Sequence, residues 1–508
     1  MICQRLCLLT QAGWLLMATM ALADDPAATS QAPSTQQEIA AHPQDVLQSL
    51  ESAMVDAVAA CERSVVAITR IRKDQASRSP LESLRLAPGL LLTEEPTSQD
   101  FVPTFFGSGV VLSADGYIVT CAHVLDDPRR HHYFVWLDRR CYQAKVVGKS
   151  AQVLAADPFS DLAILKIEAT DLSPLTPTDQ PIRKGQLVIA LGNPYAIARD
   201  GQASASWGIL SNLQRMAPRE PEQSFSETIH QLGTMLHTDI KAAVGSSGGA
   251  LVDIRGRWIG LTTSLVAGWG QEHSAGLAIA TDGFFQRVVE ALKAGQQPEY
   301  GFLGIQPENL GNAEMERGPV GVRVSAVIPG LPGAAAGLRE SDVIVQVGSQ
   351  AVSSRNDLFR ELAKVPTGQS VTLQVHRPRQ STGGQLVTLE AQLAKKFMAT
   401  NRPVYSLHGP TDWRGAQVEY QTAIAGELER IAVARGGPKV AFLSVTPDSQ
   451  VWRAGLRAGY AIISINGQTI QSPAQFHQVA YEISSQATLD VVANDGRMLT
   501  VVVAAEEP

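Results

Sequence analysis

Residues 241–253 read KAAVGSSGGALVD, with two adjacent serines among three glycines and an apolar run directly after them. Glycine reaches backbone angles that other residues avoid, so such a loop can point successive N–H groups into one small concavity. Here Gly245 and Ser247 would supply those N–H groups, and Ser247 would also carry a reactive hydroxyl. Alone, the string is equally typical of a flexible surface turn. It predicts chemistry only if a base and an orienting acid occur elsewhere in the chain, because a serine hydroxyl is otherwise a poor nucleophile.

Two other segments supply those groups. GYIVTCAHVL (116–125) places His123 directly after a β run, and DPFSDLAILKI (157–167) places Asp161 at the entry to an apolar strand. A strand end can hold an imidazole firmly, and a carboxylate buried against the ring fixes its tautomer. Asp157 competes for the acid role, but Asp161 is favoured because it directly abuts the strand. The order His, Asp, Ser is one of the known arrangements of a catalytic triad.

The stretch between residues 106 and 289 consists of short β-rich runs separated by turn residues, with no helix of useful length before residues 282–295. Many short strands at close spacing predict an all-β barrel or sandwich. Upstream, apolar residues at helical spacing over 46–58 predict a helix, and SVVAITRI (64–71) predicts a strand. The segment SAQVLAADPF (150–159) is interpreted as a long surface loop.

The remainder of the chain contains a repeat. The tetrapeptide AGLR occurs at 336–339 and again at 454–457, 118 residues apart. Each copy continues with a β run, a short amphipathic helix and a final β hairpin. Two similar α/β modules are therefore predicted after the β domain.

The composition and the N-terminal segment limit the functions that the chain can have. The 508 residues are 44% hydrophobic and 18% charged, with a net charge of −7 and no basic stripe, so nucleic acid is not expected as a partner. MICQRLCLLTQAGWLLMATMALADD (1–25) predicts a secretory signal ending at an Ala-Leu-Ala cleavage site; the alternative is an uncleaved N-terminal anchor. Of the cysteines beyond the signal, Cys121 and Cys141 are compatible both with a disulfide and with buried thiols.

These segments, in this order and followed by two Gly-Leu-bearing modules, resemble the HtrA (Deg) family of trypsin-like serine endoproteases with two C-terminal PDZ domains. The resemblance implies a mostly β fold, with a chymotrypsin-like double β-barrel followed by two PDZ-like α/β modules. It implies His123 as general base, Asp161 as orienting acid and Ser247 as nucleophile. The expected segments are a signal peptide (1–23), a flexible tether (24–44), the protease domain (45–296), PDZ domain 1 (299–395), a linker (396–412) and PDZ domain 2 (413–506).

The same resemblance implies an activity and a location. Members of the family typically form homotrimers or larger cages and degrade misfolded exported proteins, so we expect a periplasmic or secreted endopeptidase acting on unfolded or damaged proteins. The nucleophile loop departs from the family, which usually reads Asn-Pro-Gly-Asn-Ser-Gly-Gly where this chain has Ala-Val-Gly-Ser-Ser-Gly-Gly (243–249). A loop without that proline is less restrained. Two alternatives stay open: a catalytically weak or silent, chaperone-like PDZ protein, and a processing peptidase with one native substrate.

Substrate contacts are predicted on both sides of the nucleophile. An edge strand formed by Gly260, Leu261, Thr262 and Thr263 is expected to pair with an extended substrate. The primary pocket is expected near Ala242, Ala243 and SAGLAIA (274–280), where no acid stands to select Lys or Arg. We therefore expect small or medium aliphatic side chains at the cleavage site.

In the first module, Gly301, Phe302, Leu303 and Gly304 are predicted to form the loop that receives a peptide C-terminus, with backbone N–H groups as the anion nest. In the second module Gln417 stands where an apolar residue is expected, so that module is assigned to assembly. No metal or organic cofactor is expected, because no histidine, including the adjacent His131 and His132, clusters in sequence with cysteines or carboxylates at ligand spacing.

Overall fold

A computed structural model describes most of the chain from residue 43 to residue 505. The described residues are 43–73, 105–137, 139–144, 152–193, 202–214, 233–241, 243, 245–263, 276–316, 318–378, 384–398, 404–407, 411–424, 426 and 439–505. The predicted signal peptide and nearly all of the predicted tether lie outside these residues. Among the described residues, no helix combines the length and the apolar character needed to cross a membrane.

The first part of the β region is an eight-stranded sheet with strand order β22-β6-β7-β3-β2-β1-β4-β5. Its strands are Val65–Arg72 (β1), Phe105–Val111 (β2), Tyr117–Cys121 (β3), His131–Leu137 (β4), Arg140–Ala144 (β5), Gln152–Asp157 (β6), Leu162–Lys166 (β7) and Tyr405–Ser406 (β22). Most of these strands are buried along nearly their whole length, which is why they appear in the sequence as continuous apolar runs.

The second part is a closed six-stranded barrel with strand order β10-β13-β12-β11-β8-β9. Its strands are Leu187–Gly192 (β8), Ser204–Asn212 (β9), Met235–Thr238 (β10), Ala250–Asp253 (β11), Trp258–Thr263 (β12) and Gly276–Ala280 (β13). The nucleophile loop, residues 241–249, connects β10 to β11.

Two modules follow, and their strands form three sheets: a two-stranded sheet of β14 and β21, and one larger sheet in each module. The first module contains Gly301–Phe302 (β14), Ile305–Asn309 (β15), Val322–Val327 (β16), Val343–Val347 (β17), Gln350–Ala351 (β18), Ser370–Arg377 (β19), Gln385–Gln392 (β20) and Ala394–Lys395 (β21). The second contains Asp412–Trp413 (β23), Ala416–Tyr420 (β24), Val440–Val445 (β25), Ala461–Ile465 (β26), Gln468–Thr469 (β27), Ala487–Val492 (β28) and Met498–Val503 (β29). Their strand orders correspond, β15-β16-β17-β19-β20 and β24-β25-β26-β28-β29.

The helices are few and short. They are Pro43–Cys61 (α1), Ala122–Leu125 (α2), Gly283–Lys293 (α3), Asn312–Met315 (α4), Pro332–Ala335 (α5), Arg355–Ala363 (α6), Gln450–Arg453 (α7) and Pro473–Tyr481 (α8). Helix α3 begins after Asp282, whose carboxylate accepts from the amides of Phe284 and Phe285 and so caps the helix. The predicted mostly β architecture, followed by α/β modules, is confirmed.

One sequence prediction is wrong at this level. The described part of the predicted surface loop 150–159 is not a loop, because Gln152–Asp157 form β6 and its residues from Val153 to Asp157 are buried. This strand lies between β7 and β22, so a short strand from residues 405–406 covers what would otherwise be an exposed sheet edge. In the described residues no disulfide joins Cys121 to Cys141.

Candidate active site

The imidazole of His123 lies against the carboxylate of Asp161. Its Nδ1 is 2.9 Å from Oδ2 and 3.1 Å from Oδ1, and the backbone amide of His123 donates to Oδ1 at 3.1 Å. The side chain of Asp161 is fully buried, whereas that of His123 is 27% exposed. Because Nδ1 is held by the acid, Nε2 is the nitrogen left to exchange a proton with another group.

The turn before β7 gives the two acids different positions. The carboxylate of Asp157 accepts from the amide and the hydroxyl of Ser160, at 2.9 Å and 2.5 Å, so it closes the turn internally. Asp161 follows with a left-handed φ of +54°, and its carbonyl accepts from the amide of Ala122 at 2.9 Å. This backbone bond fixes Asp161 beside the helix α2, which carries His123.

A second residue contacts the buried acid. The hydroxyl of Thr263, at the end of β12, lies 3.4 Å from Oδ2 of Asp161 and donates to it. An additional donor stabilises the charged carboxylate and restricts its rotation. Sequence analysis assigned Thr263 to substrate binding and missed this contact, since only the fold brings β12 to the turn before β7.

The nucleophile loop is fixed on two sides. The carbonyl of Ser247 accepts from the amide of Ser108 on β2 at 2.8 Å, and the amide of Gly248 donates to the carbonyl of Thr262 on β12 at 2.7 Å. Gly245 and Gly248 have φ values of +96° and +86°, the left-handed region that glycine tolerates. Ser247 itself is only 4% exposed. Residues 245–249 of the loop therefore form an ordered turn.

Ser108 is a supporting residue that sequence analysis missed. Its hydroxyl donates to the carbonyl of Gly245 at 2.7 Å and accepts from the amide of Asn193 at 2.7 Å. It lies between two glycines in GSG (107–109), and glycine inside a strand often marks a close backbone approach. A Cβ at Gly107 would lie 2.6 Å from Val124 on α2 and 3.3 Å from the carbonyl oxygen of Ser247. The glycine thus lets the His123 helix and the nucleophile loop approach the same point of β2.

The expectation that no histidine clusters with cysteine and carboxylate is wrong for His123. Donor atoms of Cys121, His123 and Asp161 all lie within 4.8 Å of one another. These groups already have hydrogen-bond partners, however. The Cys121 thiol donates to the carbonyl of Thr262 at 3.5 Å, and the imidazole of His123 is hydrogen-bonded to Asp161. Burial also raises the pKa of the Cys121 thiol well above its usual value, which disfavours the thiolate that a metal would require.

The predicted substrate-binding edge strand is also wrong. Strand β12 is interior: Leu261 pairs with Ala250 of β11 and with Ile279 of β13, and Gly260 likewise has a partner on each side. The amide of Thr262 donates to Gly249 and its carbonyl accepts from Gly248. Their backbone groups are consumed by the closed barrel, so a substrate cannot pair with them as an added strand.

The predicted peptide loop of the first module joins β14 to β15. Gly301 and Phe302 pair with Lys395 and Ala394 of β21. Next to them, the carbonyl of Leu303 accepts from Gly333 at 2.6 Å, and that of Gly304 accepts from Ile328 at 3.0 Å. Gly304 has a left-handed φ of +72°, as a tight turn between the two strands requires.

The corresponding position in the second module holds an arginine. Arg414 lies between β23 and β24 as Leu303 lies between β14 and β15, and it is 4% exposed. Its guanidinium donates to four backbone carbonyls of the same module, those of Ile483, Ser485, Val503 and Ala504. The arginine is thus engaged in holding the module together. Gln417 accepts from the hydroxyl of Ser444 at 3.2 Å on the neighbouring strand.

Comparison with known proteins agrees with this arrangement. The trypsin-like peptidase domain family matches residues 107–261, and the PDZ domain family matches residues 301–393. A probable periplasmic serine endoprotease, DegP-like, from Chlamydia trachomatis is 29% identical over 421 residues, which cover 82% of this chain and 77% of that protein. A DegP-like protein from Brucella suis is 29% identical over 388 residues, 74% of this chain and 68% of the relative. The solved HtrA-type protease AlgW with decapeptide is 26% identical, with 68% of this chain and 98% of that chain covered and a TM-score of 0.46.

The β architecture and the matched families define a trypsin-like serine endopeptidase with a PDZ domain. These matches support an HtrA family serine protease with a PDZ domain, as the motifs predicted.

Proposed function

We propose that this protein is an exported endopeptidase that hydrolyses unfolded or damaged proteins outside the cytoplasm. The observation that carries the proposal is the Nδ1 to Oδ2 distance of 2.9 Å between His123 and Asp161, next to a nucleophile loop fixed by Ser108 and Thr262. The periplasmic serine endoprotease names of its relatives support both the activity and the location.

In the proposed reaction Ser247 is the nucleophile and His123 the general base. The Ser247 oxygen attacks the carbonyl carbon of the peptide bond while Nε2 of His123 takes its proton, and Asp161 stabilises the imidazolium that forms. The N–H groups of Gly245 and Ser247 would stabilise the oxyanion. His123 then gives its proton to the leaving amine, and water releases the acyl group by the same steps in reverse.

We also propose the domain assignment and the role of the modules. The protease domain would span 45–296, PDZ domain 1 would span 299–395 and PDZ domain 2 would span 413–506. Gly301 to Gly304 would receive peptide C-termini. A peptide carboxylate needs N–H donors, and the carbonyls of Leu303 and Gly304 already accept hydrogen bonds within the module. The second module would serve assembly into a homotrimer or larger oligomer, which light scattering on the purified chain tests directly.

A fluorophosphonate probe tests the catalytic assignment. It should label wild-type protein at Ser247 and leave Ser247→Ala unlabelled. Absence of label on folded, assembled wild-type protein would favour the catalytically silent, chaperone-like alternative. Digestion of several unrelated denatured proteins separates general degradation from processing, because a dedicated processing peptidase would leave most of them intact.

A further inference from the structure

A cavity lies in the second barrel next to the proposed nucleophile. Its volume is ≈ 220 Å³, far more than the roughly 10–15 Å³ that a cavity needs on this measure to hold one water. Strands β8, β9 and β13 contribute three residues each to the walls, and β10, β11, β12 and the loop that leads to Ser247 contribute the rest. Ser246 lines the cavity, so the substrate side chain next to the cleaved bond would enter it. This is where sequence analysis expected the primary pocket; Ala243 and residues 276–278 line it, whereas Ala242 and residues 274–275 lie outside the described residues.

The lining is uncharged except at one residue. Aliphatic and hydroxyl side chains, with glycine backbone, form the walls, and Lys241 is the single charged residue among those that line the cavity. Gly276 lets β13 pack closely against the residues after β10, because a Cβ there would lie 2.3 Å from the carbonyl oxygen of Ile240 and 2.4 Å from the hydroxyl of Thr238. Lys241, an exposed residue, is therefore the one lining residue that can bring a charge to an otherwise apolar or weakly polar cavity.

The ion pairing of Lys241 differs from that of many other basic residues in the part of the chain that the structure describes. Among the described residues Lys241 forms no ion pair, although many other lysines and arginines do, for example Lys395 with Glu419 at 2.6 Å. The nearest acid in sequence is Asp239, but its Oδ1 accepts from the amide of Ile209 on β9 at 2.7 Å, so this carboxylate is used to hold the barrel. An unpaired cation at a binding cavity attracts a ligand group of the opposite charge.

We propose that Lys241 makes this cavity selective for an acidic side chain, so that the enzyme cleaves after glutamate or aspartate. This inference rests on the proposed function and replaces the expectation of an aliphatic preference. A substrate carboxylate would form a charge-assisted hydrogen bond with the Lys241 ammonium, whereas a substrate lysine or arginine would meet a like charge. An aliphatic side chain would fill the cavity without using the cation.

Four peptides that are identical except for glutamate, glutamine, valine or lysine before the cleaved bond test the proposal. Glutamate and glutamine have the same shape, so their kcat/KM ratio isolates the charge. We expect wild-type protein to favour glutamate by roughly tenfold, the effect of one charge-assisted contact in a partly exposed site. The ratio should fall as salt is added, because screening weakens a contact between solvent-accessible charges.

Two variants complete the test. Lys241→Met keeps the length of the side chain without its charge and should bring the glutamate to glutamine ratio close to one. Lys241→Glu should invert the preference towards lysine. A wild-type ratio of one or below, or a ratio that Lys241→Met leaves unchanged, would overturn the inference. Thermal unfolding checks that both variants fold. If either variant does not fold, the glutamate to glutamine ratio of wild-type protein and its salt dependence still test the inference.

The proposed function and the inference about Lys241 can be tested independently of each other. If wild-type protein cleaves the valine peptide and is labelled by a fluorophosphonate but shows no preference for glutamate, only the inference about Lys241 is wrong. If it cleaves none of the four peptides and takes no label, the catalytic assignment itself is wrong.

Discussion

The hydroxyl of Tyr300 donates a hydrogen bond to the carboxylate of Asp157, and both residues are almost completely buried. Tyr300 directly precedes the first strand of the PDZ module, and Asp157 ends β6, four residues before Asp161. Arg287 on α3 strengthens the same junction, since its guanidinium donates to the carbonyls of Glu299 and Ala363. The start of the PDZ module is therefore attached to the turn that positions the proposed catalytic acid.

Tyr300→Phe should destabilise the protein by about 1–3 kcal/mol, because a buried carboxylate loses one of its donors while the ring is retained. Urea unfolding measures the change. Tyr481→Phe is the matched control, since Tyr481 is 94% exposed and its hydroxyl loss should cost less than about 0.5 kcal/mol. Equal effects of the two substitutions would show that the Tyr300 contact contributes nothing specific.

The two acids of the turn should differ in their effect on catalysis. Asp161→Asn should lower kcat by about 10⁴, because an amide next to Nδ1 favours the wrong imidazole tautomer. Asp157→Asn should lower it far less, since Asp157 bonds to Ser160 and Tyr300. Peptide hydrolysis by the two folded variants gives the comparison, and a loss of similar size in both would contradict the assignment of Asp161.

Asp157 should also make stability depend on pH. Burial raises the pKa of its carboxyl above the usual aspartate value, so the folded protein binds this proton more tightly than the unfolded chain. Its contribution to the free energy of unfolding is fully present below the unfolded pKa, near 4, and is lost as pH rises through the higher folded pKa. Between pH 4 and pH 7 the melting temperature of wild-type protein should therefore fall relative to that of Asp157→Asn. A constant difference across that range would refute the prediction.

Cys121 should resist alkylation despite its place beside the proposed base. Its thiol is buried and burial raises its pKa, and the pKa of Cys61 is raised to about 11 in the same way. Neither thiol forms much thiolate near pH 8. Iodoacetamide should therefore leave both unmodified in folded Cys141→Ala protein, with hydrolysis unaffected, and should modify both after unfolding in urea. Rapid modification of Cys121 in the folded protein would contradict the prediction.

Ser247→Ala should abolish hydrolysis and leave binding of peptides by the first PDZ module intact. The substitution removes one oxygen atom in the loop between β10 and β11, while the proposed peptide loop at 301–304 belongs to another sheet. Fluorescence anisotropy of a labelled peptide with a free C-terminus measures the binding. Parallel loss of both activities in a folded variant would contradict the separation.

Local sequence patterns were sufficient to predict much of the architecture. The strands of the β region, helix α1 and the repeat of the two modules follow from periodicity and turn residues, which are properties of short segments. The candidate catalytic residues were found in the same way, because each stands at the end of a recognisable β run or in a glycine-rich loop. The motifs also identified the family.

Contacts between residues that are distant in sequence determined the remaining features of the fold and the site. Residues 150–159 were interpreted as a surface loop because they add residues before Asp161 relative to the family, yet pairing with β7 and β22 makes residues 152–157 a strand. The sequence of β12 is the same whether it lies at an edge or inside a barrel, and only closure of the barrel consumes its backbone donors. That Lys241 forms no ion pair among the described residues likewise became visible only once Asp239 was found bonded to β9. Periodicity reports which face of a segment is buried, whereas hydrogen-bond partners and ion pairs depend on which segments meet.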